Sequence, residues 1–137
     1  MRVNMLEETI IEEVTKIVKV AETKIMEEIS IQYLADSLCY SEQQVRLVFK
    51  IAAGQTIGQY LKRRYLTQIY LTIGSDAYNK LKRTAAVMGC RRYKKKMEHY
   101  FGQEIDDDKL QRPLTTEQMR INLFDLENST YVERWLK

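Results

Sequence analysis

An all-α fold is predicted by three features of the chain. Apolar residues recur three and four apart along most of its 137 residues, only one proline interrupts them, and the five glycines fall mainly where those stripes end. A chain of this length can bury a core without disulfides, as one compact domain or two very small ones. The implied plan is two helix-turn-helix subdomains joined by a long linker helix, with a helical C-terminal extension. Their expected limits are 1–55 for the first unit with its N-terminal helix, 56–74 for the linker, 75–102 for a shortened second unit and 103–137 for the extension.

Taken in order, Ile10, Ile11, Val14, Ile17, Val18, Ala21 and Ile25 form one stripe, so the first helix is expected from about Glu7 to Glu28. Ser30 is placed to cap a short second helix ending at Leu38, in which the small Ala35 permits a close helix crossing. Cys39 and Tyr40 make the turn. Ser41 then opens a third helix, and with Gln44 three residues on it has the spacing of a capping box. Val45, Phe49 and Ala52-Ala53 form that helix's buried face, and Gly54 offers the left-handed residue that ends it. Gln43, Gln44, Arg46, Leu47 and Lys50 are left pointing outward. Thr56 starts a long fourth helix carrying Ile57, Tyr60, Leu61, Leu66, Ile69, Leu71 and Ile73, expected to stop at Gly74. A fifth, capped by Ser75 or Asp76, runs to Met88, and a sixth from about Arg91 to Phe101.

The second pair of helices echoes the first. Leu34-Ala35 followed by Cys39-Tyr40 is matched by Thr84-Ala85 followed by Gly89-Cys90, then by Val45 and Phe49 against Tyr93 and Met97, with Gly54 and Gly102 closing each copy. Tyr93, Met97, Tyr100 and Phe101 share a face and are expected in the core. In the extension, Thr115 and Gln118 start another helix, whose Met119, Ile121, Leu123, Phe124 and Leu126 must pack on the rest of the chain or on a partner.

Charge is distributed in blocks that the formal total of +3 conceals. From Ser41 to Gly102 thirteen basic residues face three acidic ones, a surplus of ten, while residues 1–40 carry a deficit of four and 103–137 a deficit of three. A basic middle between acidic ends is the footprint of a polyanion-binding surface. Cys39, Cys90 and the lone His99 cannot assemble the four ligands of a structural zinc site, and two cysteines are too few for a secreted disulfide framework. No cofactor or metal is expected. The acidic start lacks the pattern of a signal peptide, and no segment approaches the roughly 18 apolar residues of a membrane span, so a cytoplasmic protein without membrane association is expected. No nucleophile with its base, carboxylate pair in a glycine-lined pocket or phosphate-cradling loop is apparent, which argues against an enzyme.

The residues Leu34-Ala35, Tyr40-Ser41, Val45, Phe49-Lys50, Gly54 and the run Ile57-Gly58-Gln59-Tyr60-Leu61 with Lys62-Arg63-Arg64 resemble the DNA-binding region of the AraC/XylS family of bacterial transcription regulators. The resemblance covers about Ile10 to Gly102. It implies a regulator that sets one helix of each unit into successive major grooves of double-stranded DNA, about 34 Å apart. The base readers would then be Gln43, Gln44, Arg46 and Leu47 in the first unit and Arg91, Arg92 and Lys95 in the second. Ser41, Lys50, Lys62, Arg63, Arg64, Lys94 and Lys96 would hold phosphates. Arginine suits guanine, glutamine suits adenine, and leucine suits the thymine methyl.

Two departures from the family pattern have physical consequences. Cys39 stands where the family usually has glycine, so the turn must avoid positive φ or tolerate strain. The interval from Gly89 to Gly102 is about one helical turn short, which favours phosphate contacts over base reading by the second unit. The competing expectation is a protein-interaction regulator, an antagonist or adaptor whose extension meets RNA polymerase or another regulator.

Overall fold

The stripe from Ile10 to Ala21 folds as helix α1, Met5–Thr23, with all six of its apolar residues buried. The computed structural model describes residues 5–25, 27, 29–83, 95, 97–99, 101–102 and 107–127, with backbone alone at 69, 72–83, 107 and 127. Helix α1 ends earlier than the expected Glu28. The Thr23 hydroxyl donates to the Val20 carbonyl at 2.6 Å, and the Lys24 N–H bonds back only three residues, to Ala21. Side-chain competition of this kind tightens and closes a last turn. Ile25 remains buried just beyond it.

Helix α2, Ile31–Leu38, is capped by Ser30, whose Oγ accepts from the Tyr33 N–H at 3.0 Å. At its other end Cys39 takes φ 58° and ψ 35°, and the Tyr40 N–H reaches the Ala35 carbonyl at 2.9 Å. This is the Schellman closure, made here by a residue with a Cβ, so the turn adopts the strained of the two alternatives open to it. Helix α3, Glu42–Ala53, follows after Ser41 and ends at Gly54, φ 71°.

Helix α4 covers Ile57–Arg83. Thr56 and Gln59 form a reciprocal capping box at its start, Gln59 N–H to Thr56 Oγ1 at 3.1 Å and Thr56 N–H to Gln59 Oε1 at 3.3 Å. The helix does not stop at Gly74. Glycine ends a helix when the backbone turns left-handed, and Gly74 lies within the helix; there it costs only about 1 kcal/mol relative to alanine. The expected helix starting at Ser75 or Asp76 is, as far as Arg83, the continuation of α4. The echoed turn at Gly89-Cys90 lies outside the described residues.

A short 3₁₀ turn at Asp107–Lys109 leads to helix α5, Thr116–Glu127, whose Gln118 N–H bonds Thr115 Oγ1 at 3.1 Å. The described part of the extension packs back on the core. Helix α3 lies at the centre, in contact with α1, α2, α4 and α5, and α1 also touches α2 and α5. Val14, Ile17, Leu34, Val45, Phe49, Ile57, Tyr60 and Met119 are fully or almost fully buried among them. The Phe49 and Tyr60 rings meet at 4.8 Å in a tilted pair. Leu123 of α5 joins this cluster. Asn122 Nδ2 donates to the Ala52 carbonyl at 2.9 Å, and Arg120 pairs with Glu8 of α1.

A second, smaller cluster forms where Met97 and Phe101 pack on Leu66 of α4, with Tyr65 and Tyr70 at its edge. The described residues are mostly helical and contain no strand.

Candidate nucleic-acid interface

Helix α3 divides its residues cleanly. Val45, Val48, Phe49 and Ala52 are buried against the neighbouring helices, while Gln43, Arg46, Leu47 and Lys50 are exposed. At 3.6 residues per turn, positions 43, 46, 47 and 50 form one continuous stripe on the side away from the core. Val48, which the spacing of Val45 and Phe49 alone does not single out, is buried in the same core cluster.

Gln44 is not part of the stripe. It is half-buried, and its Nε2 donates to Glu13 Oε1 of α1 at 3.2 Å. The capping box expected at Ser41 is therefore half made: Ser41 Oγ accepts from the Gln44 N–H at 3.0 Å, but the glutamine side chain turns to α1 instead of back to the cap. Ser41 is exposed, with its hydroxyl committed to the helix N-terminus. Glu13 also sets a carboxylate beside the start of α3, which narrows the phosphate-compatible surface to the Arg46 and Lys50 side.

The three consecutive cations of the linker helix divide as well. Lys62 and Arg63 are half-buried; the Lys62 ammonium lies 6.0 Å from the Tyr65 ring centroid. Arg63 Nε is shielded from solvent without a hydrogen-bond partner among the described residues. Arg64 is corrected from a phosphate ligand to a core residue. It is 3 % exposed, and its Nε and Nη2 donate to both carboxylate oxygens of Glu22 at 2.7 Å, while Nη1 donates to the Gln111 carbonyl at 2.9 Å. Its position on α4 aims at α1 and the segment before α5, and a buried guanidinium is tolerable only when so fully paired.

Around that pair the segment from Gln111 to Leu114 is tied to α4. The Gln111 N–H donates to Thr67 Oγ1 at 2.9 Å, and the Leu114 N–H to the Tyr60 hydroxyl at 2.9 Å. Burial pushes the Tyr60 phenol up to about 12. On the surface, the Arg120 guanidinium bonded to Glu8 holds that carboxyl below its ordinary range.

Where the second unit is expected, Lys95 is exposed and Met97 and Phe101 are buried, the division expected of them. Arg91, Arg92, Lys94 and Lys96, like Tyr93 and Tyr100, lie outside the described residues. Among the described residues no three His, Cys, Asp or Glu side chains are grouped to hold a metal, and no helix is long and apolar enough to cross a membrane. Two positions were not legible as partners in the sequence, Glu13 for Gln44 and Glu22 for Arg64. Each pairing spans more than thirty residues and leaves no periodic trace.

Compared with family models, curated proteins and solved structures, the chain has no match in any of the three.

Proposed function

We propose that this protein is a cytoplasmic transcription regulator of AraC/XylS type that binds double-stranded DNA with α3 in the major groove. The observation that carries the reading is the exposed stripe Gln43, Arg46, Leu47 and Lys50 on a capped helix immediately after a tight turn. That stripe combines an amide, a guanidinium, an aliphatic group and an ammonium, the set that matches base edges and flanking phosphates. The surplus of ten positive charges between Ser41 and Gly102 adds the sequence-independent attraction. In this reading the first unit provides specificity, and the second, through Lys95 and its cationic neighbours in sequence, provides mainly electrostatic affinity.

A mobility-shift titration at two salt concentrations tests it. Affinity is expected to fall by close to 0.9 log units per phosphate contact for each log unit of salt. Arg46→Ala is expected to relax sequence preference, and Lys95→Ala to weaken all sequences alike. Equal affinity for every duplex removes the specificity, and no binding at low salt removes DNA as the partner. A second reading, an adaptor that binds another regulator, is favoured by the exposure of Ile121 and Phe124 on α5. A folded chain that ignores DNA at low salt selects it.

A further inference from the structure

A cavity of about 350 Å³ opens between the α1–α2 connection and the first turns of α4. Ile25, Ile29, Ile31 and Leu61 give it apolar walls, and Tyr65 adds an aromatic one. That size and that lining are those of a small-molecule site. Gly58 stands at its edge, exposed and helical, and a Cβ added there meets nothing within 4 Å, so no neighbour fills the space over the α4 backbone.

The polar part of the lining is small. Ser30 has its hydroxyl committed to the Tyr33 N–H. The two charged residues are of opposite sign, Glu27 and Lys62. Glu27 is exposed, and its 3.9 Å link to the exposed Lys24 is of the weak kind that solvent readily replaces. Lys62 is half-buried, with its ammonium 6.0 Å from the Tyr65 ring centroid. A phosphate contact, the role the family resemblance implies for Lys62, uses neither the apolar walls nor Glu27.

We propose that this cavity binds a free amino acid with a large apolar side chain. An anion would face its own charge at Glu27 and a cation at Lys62, whereas a zwitterion meets both with the opposite charge. The carboxylate goes to Lys62, the ammonium to Glu27, and the side chain to the isoleucines and Tyr65. The walls come from both apolar clusters: Leu61, Ile29 and Ile31 belong to or pack on the main core, and Tyr65 packs on the cluster of Leu66, Met97 and Phe101. A bound ligand therefore ties the two clusters together. The proposal stands apart from the DNA-binding reading and uses none of the outward stripe of α3.

Titration of the full chain with L-phenylalanine, L-phenylalaninamide and N-acetyl-L-phenylalanine, followed by its proton–nitrogen NMR spectrum, tests it. The amide lacks the carboxylate and the acetyl derivative lacks the ammonium. Each is expected to bind wild type at least about tenfold more weakly than phenylalanine, the worth of one charge-assisted hydrogen bond. Lys62→Met should erase the difference between phenylalanine and its amide, and Glu27→Gln that between phenylalanine and the acetyl derivative. Gly58→Leu, which puts a side chain into the open space, should lose phenylalanine binding while melting no earlier than wild type. Absence of saturation within the solubility of phenylalanine, equal affinity for the three compounds, or undiminished binding by a folded Gly58→Leu overturns the proposal. Should Gly58→Leu fold poorly, differences between the compounds that persist in both charge variants overturn it instead.

Discussion

Replacing Arg64 by alanine separates a structural cation from a DNA-binding one. The substitution removes two 2.7 Å bonds to Glu22 and one 2.9 Å bond to the Gln111 carbonyl. Breaking a buried pair from one side costs about 3–5 kcal/mol, because the remaining charge is left without its counterion. The Glu22 side chain is 27 % exposed and can recover part of its hydration, which places the loss at the lower end, about 3 kcal/mol. At about 4 °C per kcal/mol for a chain of this size, the midpoint of thermal unfolding followed by circular dichroism should fall by roughly 10 °C. Replacing both partners, Arg64→Met with Glu22→Leu, should restore most of the loss, since apolar groups of similar volume can stand in for a buried pair. Below the variant's melting range, the salt dependence of DNA binding by Arg64→Ala should equal the wild type's. A true phosphate ligand would lower that slope by about 0.9 when removed. A midpoint within 2 °C of wild type, set as about half a kcal/mol, or a slope shallower by about one unit, refutes the assignment of Arg64 to the core.

Other outcomes follow from the same structure. Gly58 is helical and a Cβ added there meets nothing within 4 Å, so Gly58→Ala should raise stability by about 0.5–1 kcal/mol in chemical denaturation. Cys39 holds φ 58°, a conformation costing a residue with a Cβ about 1–2 kcal/mol. Cys39→Gly should therefore gain up to about 1 kcal/mol after the added freedom of the unfolded chain is subtracted, whereas Cys39→Val should lose stability, both read from urea midpoints. Tyr60 keeps its proton to about pH 12 when folded but releases it near 10 when unfolded. Between those values the folded state binds the extra proton, so stability should fall by about 1.4 kcal/mol per pH unit above 10, and Tyr60→Phe should show a shallower alkaline decline.

What the sequence made legible is what is encoded within a few residues. The seven buried positions from Ile10 to Ile25, the serine caps at 30 and 41, and the glycine after Ala53 all follow from periodicity or from a hydroxyl reaching an N–H three residues on. Arg64 was misread because Lys62, Arg63 and Arg64 are chemically alike in a string, and only the position of α1 decides which of them is buried. Gln44 was misread for the same reason: outward on its own helix, it lies within reach of Glu13 once α1 is in place. At Gly74 a residue that favours chain reversal does not impose it, and the helix runs on through it. The fate of the extension was open because Met119 and Leu123 are equally suited to this core or to a partner; the structure seats them against α1 and α3.

That seating has a bearing on how the protein is made. The rear of α3 is walled by residues translated long after it, with Asn122 bonding Ala52 across seventy positions. While the ribosome is still adding the stretch around Leu123, the emerging helix has α1, α2 and α4 to pack on but not α5. The side of α3 that faces α5 is thus covered only after the stretch around Leu123 has been made, and nascent chains stalled earlier would leave it bare.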